Sequence, residues 1–145
     1  TQLVAVLLSI VTHGAPVCEE GSCPPYTIIA IEEPENHLHP AYQSLLADMF
    51  YDAWKQLGVM FLIETHSEYL IRKTQVIVAK AYAGNEAERE SCEYYVPPFY
   101  NPFKVYYIPK NDKPYEMIYR KDGNFENDFG TGFYDEATNL AFQTM

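Results

Sequence analysis

Basic residues are scarce in this sequence. Ten Lys and Arg stand against twenty Asp and Glu, for a formal net charge of −10 and a pI near 4.7. Nucleic-acid backbones are gripped by clustered Lys and Arg, so the balance excludes this stretch as a nucleic-acid clamp acting unaided. Cysteine is limited to Cys18, Cys23 and Cys92. An odd count without a secretory signal pattern excludes a disulfide framework and reads as reduced thiols in a cytoplasmic protein. Cys18 and Cys23 have no matching second pair, which excludes a zinc knuckle. The longest apolar run, Leu3 to Ile10, is far short of the roughly 20 residues that cross a bilayer. None of the seven glycines falls in the G-x-x-x-x-G-K-[ST] spacing, so the chain has no loop to cradle the inner phosphates of a nucleotide. There is no Asp-x-Asp pair, and Asp122, Asp128 and Asp135 are too dispersed for a metal-dependent nuclease centre.

What remains is ordinary globular composition, 48% hydrophobic and 21% charged, with an unusual 13 tyrosines in 145 residues. Gln2 to Val11 reads as a buried helix, with a buried strand as the alternative, and Gly14 as its stop. Residues 15–25 hold three prolines and mark a loop. Tyr26 to Ile31, YTIIAI, reads as a buried parallel strand. Pro40 suits a first helical turn, and Ala41, Leu45, Met49, Ala53 and Leu57 recur every four residues up to Gly58, with Leu46 and Phe50 widening the stripe. Val59 to Ile63 is a second buried strand. Thr65 and Glu68 have capping-box spacing, which predicts a helix from there to about Ala83. Strand–helix–strand–helix implies a parallel sheet with right-handed crossovers. Gly84 to Pro102 reads as a loop or insertion, Lys104–Ile108 and Tyr115–Arg120 as a hairpin, Gly123 to Gly132 as loop, and Phe133 to Met145 as a closing helix. The Tyr94–Tyr107 stretch packs over a sheet edge or an absent domain in this reading, with base stacking the alternative.

Both predicted core strands end in chemistry-bearing residues. The first runs into Glu32-Glu33-Pro34-Glu35-Asn36-His37-Leu38-His39-Pro40, the second into Glu64-Thr65-His66-Ser67. In open α/β sheets ligands gather at the carboxyl ends of the strands. Apolar strands ending in paired carboxylates suit metal-assisted phosphoryl transfer, where one acid attends Mg²⁺ and its neighbour orients the attacking water.

IIAIEEPENHLHP resembles the Walker B strand and D-loop of ABC/SMC-like ATPases, most closely the RecF-like and OLD-like branch. FLIETHSEYLI is similar to that branch's switch strand with its histidine, and Thr1-Gln2-Leu3 resembles the tail of the signature motif. The strong similarity covers residues 27–72. The tail, with its 103–145 hairpin segment, resembles a short C-terminal region of undefined function in predicted ATPases of this branch. The resemblance implies a partial P-loop NTPase core, α/β in class, with parallel strands, flanking helices and an antiparallel edge hairpin. Residues 1–145 would be the C-terminal half of an ATPase domain.

The resemblance also implies roles. Glu32 would be the Mg²⁺-associated acid and Glu33 the catalytic carboxylate. His66 would be the catalytic sensor of the γ-phosphate of ATP. Gln2, His39 and Ser67 would be nucleotide-binding, His39 from a D-loop that crosses to a second subunit. An N-terminal half bearing Walker A would complete the site, and a head-to-tail homodimer would sandwich the nucleotide. Nucleic acid enters by analogy only, and no membrane is implied. Alone, the chain is expected to be inactive. Two other classes remain in view: a non-catalytic protein-interaction module, and a zinc-dependent hydrolase using His37, His39 and His66.

Overall fold

The computed structural model describes residues 5, 8, 12, 27–83, 101–130 and 133–134. Two compact units divide the chain, Thr1–Lys73 and Thr74–Met145. The structure is α/β, with a parallel two-stranded sheet, helices and a separate antiparallel two-stranded sheet, consistent with a partial P-loop NTPase fold.

In the first unit, β1 (Thr27–Glu32) pairs in parallel with β2 (Val59–Glu64), from Thr27 opposite Val59 to Glu32 opposite Glu64. The crossover is α1 (Pro40–Leu57). It starts where Pro40 can occupy the first turn without losing a hydrogen bond, and the His39 imidazole caps it by accepting from the Ala41 N–H. It ends at Gly58, whose φ of 64° lets its N–H reach the Trp54 carbonyl. Leu46, Ala47, Phe50, Tyr51 and Ala53 form its buried stripe, and the Phe50 ring meets Phe61 of β2 at 4.8 Å.

One face of the parallel pair is therefore covered. The other, with Ile28, Met60 and Leu62, is exposed at 64%, 38% and 68%, and Ile31 is the only buried apolar residue of β1. This corrects the expectation of two fully buried strands. Their composition is that of a doubly covered sheet, but among the described residues the covering layer lies on the α1 side.

The next helix, α2 (Glu68–Tyr82), starts after Ser67. The Ser67 hydroxyl accepts from the Leu70 N–H and is the cap. The Thr65–Glu68 box is not used, because Thr65 Oγ1 is taken by the Ser67 N–H. The early turns of α2 bury Leu70 and Ile71 in the first unit, and a half-buried Lys73–Asp48 pair at 3.0 Å lies there too.

In the second unit, β3 (Val105–Tyr107) and β4 (Tyr115–Met117) pair antiparallel as a sheet of their own rather than as an edge of the parallel pair. Past β4 the chain turns again, with Tyr119 bridged to Phe125 around Gly123. Ile77, Val78, Ala81 and Met117 are buried here, beside a run of ring contacts through Tyr107, Phe125, Phe129 and Phe133. Ala5, Leu8 and Thr12 are helical, in agreement with the helix reading of Gln2–Val11, and Leu8 is exposed. The rest of that segment, the insertion at 84–100 and the proposed closing helix beyond 134 lie outside the described residues. No helix of the described residues is long and apolar enough to cross a membrane.

Candidate functional site

The site is built on the two loops that leave the parallel strands. Parallel pairing continues one residue past β1, with the Glu33 N–H on the Glu64 carbonyl at 2.9 Å. Glu33 then takes a φ of 45°, which few non-glycine residues adopt. That kink starts two consecutive turns. Asn36 N–H returns to the Glu33 carbonyl at 3.0 Å, and Leu38 N–H to the Glu35 carbonyl at 2.9 Å, with His37 at a φ of 65° in the second turn. Asn36 also reaches the Glu33 carboxylate, through Nδ2 at 3.4 Å.

Glu35 holds the two loops together. Its carboxylate is buried, and Oε1 accepts the backbone N–H of His66 at 2.8 Å. Ser67 is buried too, and its hydroxyl donates to Gln43 Oε1 at 2.7 Å while capping α2. The Glu35 bond anchors the His66 backbone, and the imidazole stands among carboxylates. Nε2 is 3.2 Å from Glu64 Oε1 and 3.9 Å from Glu33 Oε1. All three side chains are open to solvent, so the arrangement can hold water, a proton or a cation within reach of a ligand entering from outside. A shallow pocket of about 290 Å³ is lined by Glu33, Glu35, Asn36, His37, Gln43, His66 and Ser67.

The sequence-derived candidates divide accordingly. Glu33 and His66 come together. Glu32 lies exposed at the end of β1, opposite Glu64 in the ladder, and brings no ligand atom to the only group of three metal-ligating side chains among the described residues, Glu33, Glu64 and His66. Ser67 is beside His66, but its hydroxyl and N–H are both engaged within the protein. His39 is exposed and caps α1. His37 lines the pocket, yet neither it nor His39 joins His66 in a ligand group, so the His37–His39–His66 zinc set is not assembled. Gln2 lies outside the described residues. Sequence reasoning missed Glu35 and Gln43, whose roles rest on contacts 31 and 24 residues away in the chain. The only available signal was the polar residue Glu35 inside an otherwise turn-forming EPEN stretch.

Residues 3–71 match the family model of the AAA ATPase domain. The match supports an AAA-type ATPase family and, with it, nucleotide use of the P-loop NTPase class. The matched stretch contains β1, α1, β2 and the first turn of α2, and so every residue lining the pocket. No curated protein and no solved structure matches the chain.

Proposed function

We propose that this chain supplies the hydrolytic half of a Mg²⁺-dependent ATPase of the RecF-like and OLD-like branch. In this reading Glu33 orients the attacking water and His66 contacts the terminal phosphate of ATP. The observation that carries it is the convergence of Glu33 and His66 from the ends of two parallel, adjacent strands, inside the stretch that matches the AAA ATPase domain. A positive φ at Glu33 supports the same reading, since backbone strain of this kind concentrates at functional sites.

Two groups that this function needs are Mg²⁺ and ATP. The Glu32 carboxylate, exposed at the end of β1, is the one this reading assigns to Mg²⁺, a cation that keeps several of its waters. When bound, Mg²⁺ neutralises charge on the transferring phosphoryl group. The chain itself offers nothing to the inner phosphates, because it has no glycine-rich loop. A separate segment carrying Walker A supplies that loop, the chain alone is inactive, and the exposed Ile28–Met60–Leu62 face supports a core completed by further elements. The remaining elements of the proposal are a nucleotide-sandwich homodimer, in which His39 and Gln2 approach the second subunit's nucleotide, and a cytoplasmic setting. Work on nucleic acid is an analogy with relatives of the branch.

His66→Ala, in the protein joined to its Walker A segment, tests the assignment. Loss of a preorganised donor aimed at developing charge costs about 10²–10³-fold in turnover. ATP affinity should hold within a few-fold. Unchanged turnover at saturating ATP would make His66 a structural residue.

A further inference from the structure

Glu33, Glu64 and His66 have a second capacity that water orientation does not use. Their ligand atoms, one nitrogen and two carboxylate oxygens, all lie within 4.8 Å of one another. Tetrahedral Zn²⁺ with bonds of about 2.0–2.1 Å requires ligand atoms about 3.3–3.4 Å apart. The His66–Glu64 separation of 3.2 Å meets this; the His66–Glu33 separation of 3.9 Å and the Glu33–Glu64 separation, within 4.8 Å, require the half-exposed carboxylates to close in on the ion. Three protein ligands leave a fourth position open to water, which the exposure of the trio allows. The imidazole decides the class of ion. Nitrogen in the donor set favours Zn²⁺, Co²⁺ and their neighbours, whereas Mg²⁺ prefers oxygen alone.

Glu35 gives an independent sign of a missing partner. It is 8% exposed, and Oε2 has no hydrogen-bond partner while Oε1 holds the His66 N–H. An unsatisfied buried carboxylate oxygen is costly. Glu35 lines the same pocket as Glu33 and His66. A water carried by a cation there is a donor of the kind that outer-shell carboxylates accept from around metal sites. It would also offset the repulsion among three neighbouring carboxylates.

We propose that Glu33, Glu64 and His66 form a site for a borderline divalent transition-metal ion, with Glu35 as its outer-shell acceptor, and that occupancy inhibits by withdrawing Glu33 from water orientation. The binding rests on the trio alone; the inhibition rests on the hydrolytic reading above. This set differs from a three-histidine zinc site, since His39 Nδ1 is engaged with the Ala41 N–H and His37 lies outside the ligand group.

Binding is tested without nucleotide, so that its failure is separable from failure of the ATPase reading. The probe is Co²⁺, followed by its visible absorption, with Cys18, Cys23 and Cys92 replaced by Ser to remove thiolate ligands. The proposal expects one equivalent bound, a spectrum unchanged by excess Mg²⁺, displacement by Zn²⁺, and affinity lowered at least tenfold by His66→Ala and by Glu64→Gln. Glu35→Gln should weaken binding about 10–100-fold while leaving the trio in place. Circular dichroism checks that each variant is folded. No uptake by the folded chain, or uptake unaffected by both His66→Ala and Glu64→Gln, would overturn the site. With uptake established, unaltered ATP turnover at saturating Zn²⁺ in the protein joined to its Walker A segment would overturn the inhibitory role.

Discussion

Single side chains in this protein are placed by contacts that their immediate neighbours do not determine. Glu33 is set by a positive φ, and His66 by a backbone hydrogen bond to a carboxylate 31 residues earlier. In the second unit the clearest case is Tyr119. Its hydroxyl pairs with Thr74 Oγ1 at 2.6 Å, and burial pushes its pKa well above the ordinary value of 10.0, with the Thr74 hydrogen bond acting in the opposite direction. A raised phenol pKa means the folded state holds its proton where the unfolded chain has released it. The stabilisation is therefore complete below pH 10.0 and is lost as pH rises from there toward the folded value. Tyr119→Phe should lower stability at neutral pH by about 1 kcal/mol through the lost hydrogen bond, and should lose less than wild type above pH 10.0. Urea unfolding at both pH values measures this. Parallel alkaline losses in the two proteins would show that Tyr119 is not the titrating group.

At the scale of elements, local sequence is most informative where a single residue type dictates backbone geometry. Pro40 and Gly58 delimit α1 as their chemistry requires, but of the four-residue recurrence Ala41, Leu45, Met49, Ala53 and Leu57 only Ala53 is buried, and the buried stripe runs through Leu46, Ala47, Phe50 and Tyr51 instead. The β-branched runs of β1 and β2 gave strands in the right place, but not their exposure. Apolar content records that a covering layer is needed and cannot say where that layer comes from. The α2 cap slipped by two residues because Thr65 and Ser67 compete for the same role, and Thr65 is consumed by the Ser67 N–H. The site was half legible for a similar reason. Glu33 and His66 sit at strand ends, where position alone suggests chemistry, whereas Glu35 and Gln43 act across the loops. The turn after β4 carries only loop signals in its sequence, yet it is tightly constrained. Gly123 has a φ of 81°, and a Cβ there would lie 2.2 Å from the Gln75 carbonyl oxygen and 2.9 Å from Ala79 Cβ. Backbone cannot yield as a side chain can. Gly123→Ala should thus destabilise by about 1–3 kcal/mol or more, read as a lower denaturation midpoint. A midpoint unchanged from wild type would mean that the turn is free to move away from α2.

At the scale of the whole molecule, the chain is acidic, has no glycine-rich phosphate loop in its sequence, and brings Glu33 and His66 together at the ends of two parallel strands. Glu33 and His66 converge within residues 3–71, the stretch that matches the AAA ATPase domain. The central claim is that Glu33 aligns water for attack on the terminal phosphate. Gln keeps the shape of Glu and removes its charge and basicity, so it isolates that role from packing. General-base assistance contributes about 10²–10⁴-fold, and loss of a negative charge near the triphosphate should leave ATP affinity equal or higher. The direct measurement is single-turnover ATP hydrolysis by Glu33→Gln in the protein joined to a Walker A segment, with ATP binding measured alongside. The account predicts hydrolysis reduced by at least about 10²-fold with binding retained. Hydrolysis at the wild-type rate would contradict it.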